Sequence, residues 1–419
     1  MLWKENDEIL IIPAGELGVG HTCFIYTSGY TSGDYAVVVD CGMNPQVSWS
    51  PTDPPPRLDI LDDLLARGVK VIGVITHAHL DHIGAVRELV MRKIPVYFSE
   101  WTGRFMEVYV EDLDIPKGAE THVFEGNQVL THGDFQIYLI SVYHSIPGTR
   151  AILLRRGNKV VLHLGDFKLN GMQEGIAKTR KVFQDIRLSV GQVNCLVMDV
   201  LNTEMDGFTP PEQPVFDSIE DIIKEASGQI IITCFASNIR RIEAIIKKAV
   251  DHHKTVGIGG FRMSSSCRLL GKGSLPRNGD IVLIGGSQGE EGSGLVRLSR
   301  DEHKHLSLSR GSTVVVSSRC IPGNEENVKW LLEDLHAHDV KIILHENESK
   351  KLDLSFRPEE RFLHVSGHEQ RGGLQETIEI LKPEMIIPFH APEDRRIMFE
   401  QLVGGKQTKH LQRGETLNI

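Results

Sequence analysis

Residues 76–82 read THAHLDH and directly follow the apolar run VIGVI. His77, His79, His82 and Asp81 crowd into that one stretch. Neighbouring imidazoles repel when protonated and waste hydrogen-bonding capacity when buried. Divalent metal ions resolve both problems, because neutral imidazole and carboxylate are good zinc ligands. A loop at a strand end can splay alternate residues toward adjacent metal positions. Two ions need more ligands than this loop offers. His144 in SVYHSIPG, Asp166 in LHLGDFK and His390 in IIPFHAP stand at other strand ends. Taken singly, each reads as readily as a satisfied histidine or a turn aspartate. Shared placement beside a cluster that needs partners makes them the candidate ligands, with Asp166 able to bridge. Asp40 closes the run DYAVVVD. Metal-bound imidazoles hand their second N–H to a carboxylate, and Asp40 is the candidate for that role. A turn aspartate capping a loop is the other reading of it.

The elements around these residues are legible. EILIIP, TCFIYT and DYAVVVD read as strands. Pro51, Pro54, Pro55 and Pro56 mark residues 46–57 as a loop. LDILDDLLARG reads as an amphipathic helix stopped by Gly68, and VIGVIT and IPVYFS as strands flanking the helix IGAVRELVMRK. Strands follow at 134–142, 151–156 and 159–164. This pattern predicts a sheet packed on a sheet with helices outside. From about residue 206 the pattern becomes a regular strand–helix alternation. GQIIITCF leads into SNIRRIEAIIKKAVDHH, a helix with Ser237 or Asn238 as N-cap. KTVGIGG, DIVLIGG and STVVVSS are strands, and NEENVKWLLEDLHAHD is a helix. This predicts a small α/β domain on a parallel sheet. RFLHVSGH, LQETIEILK and EMIIPFH then give strand, helix, strand.

Composition bounds the function. The chain has 419 residues, 40% of them apolar, which suits two or three domains with full cores. No apolar run approaches the ~18 residues of a membrane helix, so no membrane partner is expected. The start, MLWKENDEILIIPAGELG, has acids where a secretory signal is basic. The six cysteines form no CxxC pair and read as free thiols of a reducing cytoplasm. A formal charge of −10 weighs against a general nucleic-acid binder. The 19 histidines are the surplus. His252, His253 and the pairs His303/His305 and His336/His338 read as surface residues, because i,i+2 side chains point apart on a helix.

HxHxDH followed by a distant His, Asp and His resembles the metallo-β-lactamase superfamily. More narrowly, the chain resembles ribonuclease J of the β-CASP nuclease group. The matching strings are HSIP (144–147), GDFK (165–168), NTEMDGFTPPE (202–212), FASNIRRI (235–242), GGSQGE (285–290), IPGNE (321–325) and HVSGH (364–368). They stand in family order, and the resemblance extends from about residue 13 to residue 395. HxHxDH and GDFK are shared across the superfamily, whereas FASN, GSQGE, IPGNE and HVSGH are specific to the ribonuclease J branch.

The resemblance implies an α/β protein: an αββα metallo-β-lactamase sandwich formed by residues 1–205 and 350–419, with an α/β β-CASP domain inserted at 206–349. It implies two zinc ions, with manganese or magnesium as alternatives. His77, His79 and His144 would hold one, Asp81, His82 and His390 the other, with Asp166 bridging. Asp81, Asp199 in LVMDV and His368 are the catalytic candidates; a turn or cap is the plain reading of Asp199. His364, Val365, Ser366, Gly367 and His368 would wrap an RNA phosphate, against the reading of a bend that needs Gly367. Gly285 and Ser287 fall in the region that forms the family's 5′-monophosphate nucleotide pocket. A Gly-rich loop after a strand lets backbone amides approach an anion. Two dications against Asp81 and Asp166 would leave the slot locally positive despite the whole-chain charge.

The implied activity is hydrolysis of single-stranded RNA, 5′→3′ exonucleolytic with endonucleolytic cleavage as a second mode, in cytoplasmic RNA processing or decay. The alternatives are a hydrolase of DNA or of a small ester, lactone or β-lactam, and a non-catalytic RNA-processing subunit. Gly148 and Thr149 stand where relatives carry aspartate and serine, and Val200 and Leu201 where they carry a Ser-Thr pair. Most bacterial relatives continue into a C-terminal domain that supports oligomerisation. The chain ends before it, which leaves a homodimer open.

Overall fold

The computed structural model describes residues 7–43, 58–109, 113–124, 129–170, 176–405 and 407–419; the proline-rich loop expected at 46–57 lies outside them. The chain divides into two compact units, Met1–Pro210 with Gly367–Ile419, and Pro211–Ser366.

The first unit holds two sheets. One runs in the order Leu417–Asn418, Leu10–Pro13, Phe24–Thr27, Tyr35–Val39, Lys70–Val74, Val96–Phe98, Thr121–Val123. The other runs Met385–Phe389, Cys195–Asp199, Lys159–His163, Arg150–Arg156, Phe135–Ser141, Leu130–His132. Their facing residues interdigitate in one apolar core, with Phe24, Val37 and Val74 from the first and Ile152, Val161, Val197 and Phe389 from the second. On the far side of the second sheet, Phe183, Leu374, Leu381 and Phe399 bring helices Ile176–Val190, Arg371–Leu381 and Glu393–Leu402 onto Leu153, Leu162 and Leu196. This is the helix-flanked sandwich expected. The three strands Lys159–His163, Cys195–Asp199 and Met385–Phe389 are parallel neighbours, as are Tyr35–Val39 and Lys70–Val74. Parallel neighbours open their C-terminal ends on one side, and the candidate ligands stand there except His144, which follows the antiparallel strand Phe135–Ser141. The stretch 76–82 is not all loop: Leu80–Ile83 forms one helical turn with His79 at its N-cap.

The second unit is a six-stranded parallel sheet in the order Val256–Gly259, Ile281–Ile284, Ile230–Thr233, Thr313–Val316, Lys341–His345, Glu359–Arg361. Helices cover both faces, as a fully apolar parallel sheet requires. Helix Ile239–Asp251 is capped by Asn238, whose side chain accepts from the Arg241 N–H. The sequence placed the return to the first unit near residue 350. Glu359–Arg361 pairs with Lys341–His345, so residues up to Ser366 stay with the second unit. RFLHVSGH is also not a continuous strand: pairing stops at Arg361.

Candidate metal centre

Six strand ends of the first unit deliver the site. Asp40 follows Tyr35–Val39, the cluster 77–82 follows Lys70–Val74, and His144 follows Phe135–Ser141. Asp166 follows Lys159–His163, Asp199 ends Cys195–Asp199, and His390 follows Met385–Phe389. Three sets gather ligand atoms within 4.8 Å of one another: His77, His79, His144 and Asp166; Asp81, His82, Asp166 and His390; and Asp166, Asp199, His368 and His390. Asp166 belongs to all three. Its two oxygens face different sets. Oδ2 lies 3.5 Å from His77 Nε2 and 3.7 Å from His144 Nε2. Oδ1 lies 3.3 Å from His82 Nε2 and 3.8 Å from His390 Nδ1. His144 Nε2 is 3.1 Å from His79 Nδ1, and His390 Nε2 is 2.8 Å from Asp81 Oδ2. Nitrogen ligands of one tetrahedral zinc stand about 3.3 Å apart, given its bond lengths.

Hydrogen bonds behind the rings set their tautomers. His144 Nδ1 donates to the Gly367 carbonyl at 2.8 Å, which leaves the Nε2 lone pair facing inward. His82 Nδ1 donates to Asp40 Oδ2 at 2.7 Å. Thr76 Oγ1 donates to the same Asp40 oxygen at 2.8 Å, so it accepts from His77 Nδ1 at 3.0 Å. One carboxylate therefore sets two imidazoles, one directly and one through Thr76. Asp40 and His390 both hold positive φ, 62° and 59°, a conformation that costs a non-glycine residue of order 1 kcal/mol or more and clusters at functional sites. Gly367 must be glycine for a separate reason: a Cβ there would come within 2.6 Å of His144 Cε1.

A divalent metal fits this donor set. The inward atoms His77 Nε2, His82 Nε2, His390 Nδ1 and Asp166 Oδ1 are buried with no hydrogen-bond partner among the described residues. Burial pushes the His77 and His144 pKa values down and takes His79 to about 4, which keeps these rings neutral as ligands must be. Burial also acts against charge on His82 and His390, but Asp166 and the other carboxylates outweigh it and raise both, His82 to about 10. Burial likewise favours protonated acids, yet His82 and His390 hold Asp81 and Asp166 well below the usual carboxylate range. A field that draws protons onto two imidazoles is one that a dication answers equally well, displacing those protons.

His368 completes the edge of the site. Its Nδ1 meets Asp199 Oδ2 at 2.7 Å, and its ring stacks on His390 with centroids 5.1 Å apart. Its side chain is 18% exposed, against 0% for His77 and His82 and 1% for His144 and His390. The His368 carbonyl accepts from Asn202 Nδ2 at 3.0 Å and Thr209 Oγ1 at 2.7 Å. Buried Glu369 accepts from the N–H groups of Thr209 and Leu169. Asp199 Oδ1 takes the Leu201 N–H at 2.9 Å, a backbone donor at the point where the Ser-Thr pair is missing.

The candidate contacts His364, Val365, Ser366, Gly285 and Ser287 lie in the second unit, whereas Gly367 and His368 lie in the first. Val365 packs its side chain into the apolar core, so only its backbone is left for phosphate. Ser287 is buried and takes Gln288 Nε2 at 3.4 Å. Thr76, Asn202, Thr209 and Glu369 were not singled out from sequence. Nothing marks a threonine as a relay, although the other three lie in or beside the strings NTEMDGFTPPE and HVSGH.

Replacing Asp40 with alanine should lower metal affinity about 10- to 100-fold, as loss of a carboxylate behind a ligating histidine does. Competition with a chromophoric chelator measures it, and unchanged affinity would remove Asp40 from the site.

Residues 18–190 match the model of the metallo-beta-lactamase superfamily. Residues 227–335 match the model "Ribonuclease J, beta-CASP domain". Over 417 residues the chain is 29% identical to ribonuclease J of Sinorhizobium meliloti, covering 92% of this chain and 69% of that protein. It is 30% identical over 379 residues to ribonuclease J of Mycobacterium tuberculosis H37Rv, covering 84% and 64%. Against ribonuclease J of Helicobacter pylori J99 the figures are 27% over 341 residues, 77% and 47%. The chain thus spans between about half and two thirds of these relatives. A crystal structure of a protein of unknown function from Enterococcus faecalis V583 shares the fold, with TM-score 0.64 and 16% identity, covering 98% of this chain and all of that one. The chain thus carries a metallo-β-lactamase domain and a β-CASP domain of the ribonuclease J type. Over most of its length it is similar to proteins named ribonuclease J.

Proposed function

We propose that the chain is a metal-dependent ribonuclease that hydrolyses phosphodiesters of single-stranded RNA, 5′→3′ from a monophosphorylated end and endonucleolytically at internal sites. The observation that carries this reading is the position of Asp166, one oxygen toward each of two histidine-rich sets and Oδ2 3.9 Å from Nδ1 of His368. His77, His79, His144 and Asp166 would hold one divalent ion. Asp81, His82, His390 and Asp166 would hold the other, with zinc the ion their ligand chemistry suits. Bound there, such ions supply Lewis acidity, which lowers the pKa of water and offsets charge on the phosphoryl oxygens.

The chain's own groups do the rest. Asp199 fixes the Nδ1–H of His368 and so orients its ring. Burial opposes a charge on His368, but Asp199 and Asp166 outweigh it and raise its pKa. His368 Nε2 is then a proton donor for the departing 3′-oxygen. Asn202 and Thr209 hold the His368 backbone while this happens. His364, Val365, Ser366, Gly367 and His368 are the proposed contacts of RNA phosphate, and Gly285 and Ser287 those of the terminal nucleotide. No helix among the described residues is long and apolar enough to cross a membrane.

The test uses end-labelled single-stranded RNA bearing 5′-monophosphate, 5′-triphosphate or 5′-hydroxyl, beside matched DNA. Mononucleotides released from the monophosphorylated RNA in preference to the others support the reading. Cleavage of DNA alone, or of no strand by metal-loaded protein, overturns it.

A further inference from the structure

Beyond Arg361 the peptide of the second unit leaves the sheet, and side chains take over its hydrogen bonds. His345 Nδ1 accepts from the Leu363 N–H at 3.1 Å and the His364 N–H at 3.2 Å. Ser317 Oγ donates to the Leu363 carbonyl at 2.7 Å. Arg241 Nη2 donates to the Val365 carbonyl at 3.4 Å, and Nη1 reaches His364 Nδ1 at 3.3 Å. Arg241 is fully buried; Nη2 pairs with buried Glu212 at 2.9 Å, and Nη1 donates to the Ser317 carbonyl at 2.8 Å.

A buried arginine–glutamate pair adds little net stability over apolar side chains of similar volume. What it adds is direction, and here the direction is toward residues 363–365. The chemistry of the donors also fixes a tautomer. A guanidinium only donates, so His364 Nδ1 must accept, and the ring proton sits on Nε2. In that form Nε2 is a hydrogen-bond donor, as a phosphate oxygen requires. His345 is held neutral by burial first and by the cations Arg319, Lys351 and Arg241 next, with its pKa at about 4. Its Nδ1 lone pair is therefore available to both backbone N–H groups.

We propose that Arg241, with His345 and Ser317, is a positioning residue for RNA binding: it fixes residues 363–365 and holds His364 in the Nε2–H tautomer that donates to an RNA phosphate. This rests on the ribonuclease reading above.

The test measures binding of fluorescein-labelled, 5′-monophosphorylated single-stranded RNA with phosphorothioate linkages to the metal-loaded full chain. It adds KM and kcat on the unmodified RNA. The double variant Arg241→Met/Glu212→Leu removes both buried charges, so neither is left unpaired. It should fold, keep its metal, bind RNA about tenfold more weakly and show the loss in KM with kcat retained, as expected for one charge-assisted hydrogen bond misplaced. His345→Leu should weaken binding about as much, whereas His345→Asn, whose amide oxygen replaces Nδ1 as acceptor, should restore it. The His345 pair decides the matter if the double variant does not fold. A folded double variant that binds like wild type overturns the proposal, as does a His345→Leu variant that binds like wild type or a His345→Asn variant as weak as His345→Leu. Wild-type protein that binds no RNA overturns the ribonuclease reading itself, and the proposal with it.

Discussion

Asp166→Asn should lose RNA cleavage by about a thousandfold or more, together with most of its bound metal, because a metal-dependent hydrolase without its metals loses their full contribution. The reason is geometric. Oδ2 of this one carboxylate serves His77 and His144, and Oδ1 serves His82 and His390. An asparagine keeps one acceptor and turns an NH2 group toward imidazole nitrogens, so one set loses its anion and both lose charge. The fold should survive, since Asp166 lies among ligands rather than in either apolar core of the first unit. Elemental analysis of the purified variant, beside its circular dichroism and its rate on RNA, checks the three parts. A variant with wild-type metal content and wild-type rate would remove the bridging role.

His368→Ala should behave differently. Its Nδ1 pairs with Asp199, and its ring is the most exposed of the site histidines compared above. Metal content should therefore stay near that of wild type while kcat falls about 10²- to 10⁴-fold, the range of general acid–base catalysis. The signature is dependence on the leaving group. A nitrophenyl phosphodiester departs without needing a proton, so the variant should lose far less of its rate on that substrate than on RNA. Equal losses on both would mean that His368 does not supply the proton. Asp199→Asn should show a milder version of the same pattern, because the ring keeps a partner but loses the charge that raises its pKa.

The site was legible because its chemistry is concentrated at strand ends. An apolar run that ends in His or Asp is visible in one dimension, and Asp40, Asp166, Asp199 and His390 all sit at that boundary. Their convergence was not visible, because it depends on which strands are parallel neighbours. Thr76 stayed hidden for another reason: its role exists only through Asp40 on one side and His77 on the other. Arg241 lies in the string FASNIRRI, but nothing in the sequence marks it as buried. It lies in an amphipathic helix where an arginine ordinarily faces solvent, yet it is fully buried against Glu212. RFLHVSGH reads as a strand because its apolar residues suit one. Side chains from His345, Ser317 and Arg241 replace the neighbouring strand after three residues of pairing, and no period in the sequence encodes that exchange. For the same reason the second unit extends past residue 350: Glu359–Arg361 is charged throughout and carries no strand signal of its own.

The whole-chain charge of −10 also takes on a different meaning beside the site. The chain need not be basic to hold RNA if the positive charge is supplied at the slot itself. That dependence is the centre of the account, and a chelate-and-restore titration tests it most directly. Purified protein is stripped with a chelator, then titrated with zinc or manganese while bound metal and cleavage of 5′-monophosphorylated single-stranded RNA are followed together. Cleavage should vanish on stripping and return as bound metal approaches about two ions per chain, the stoichiometry of a two-metal hydrolase. Undiminished cleavage by the stripped protein, or full metal loading with no RNA cleaved, would contradict it.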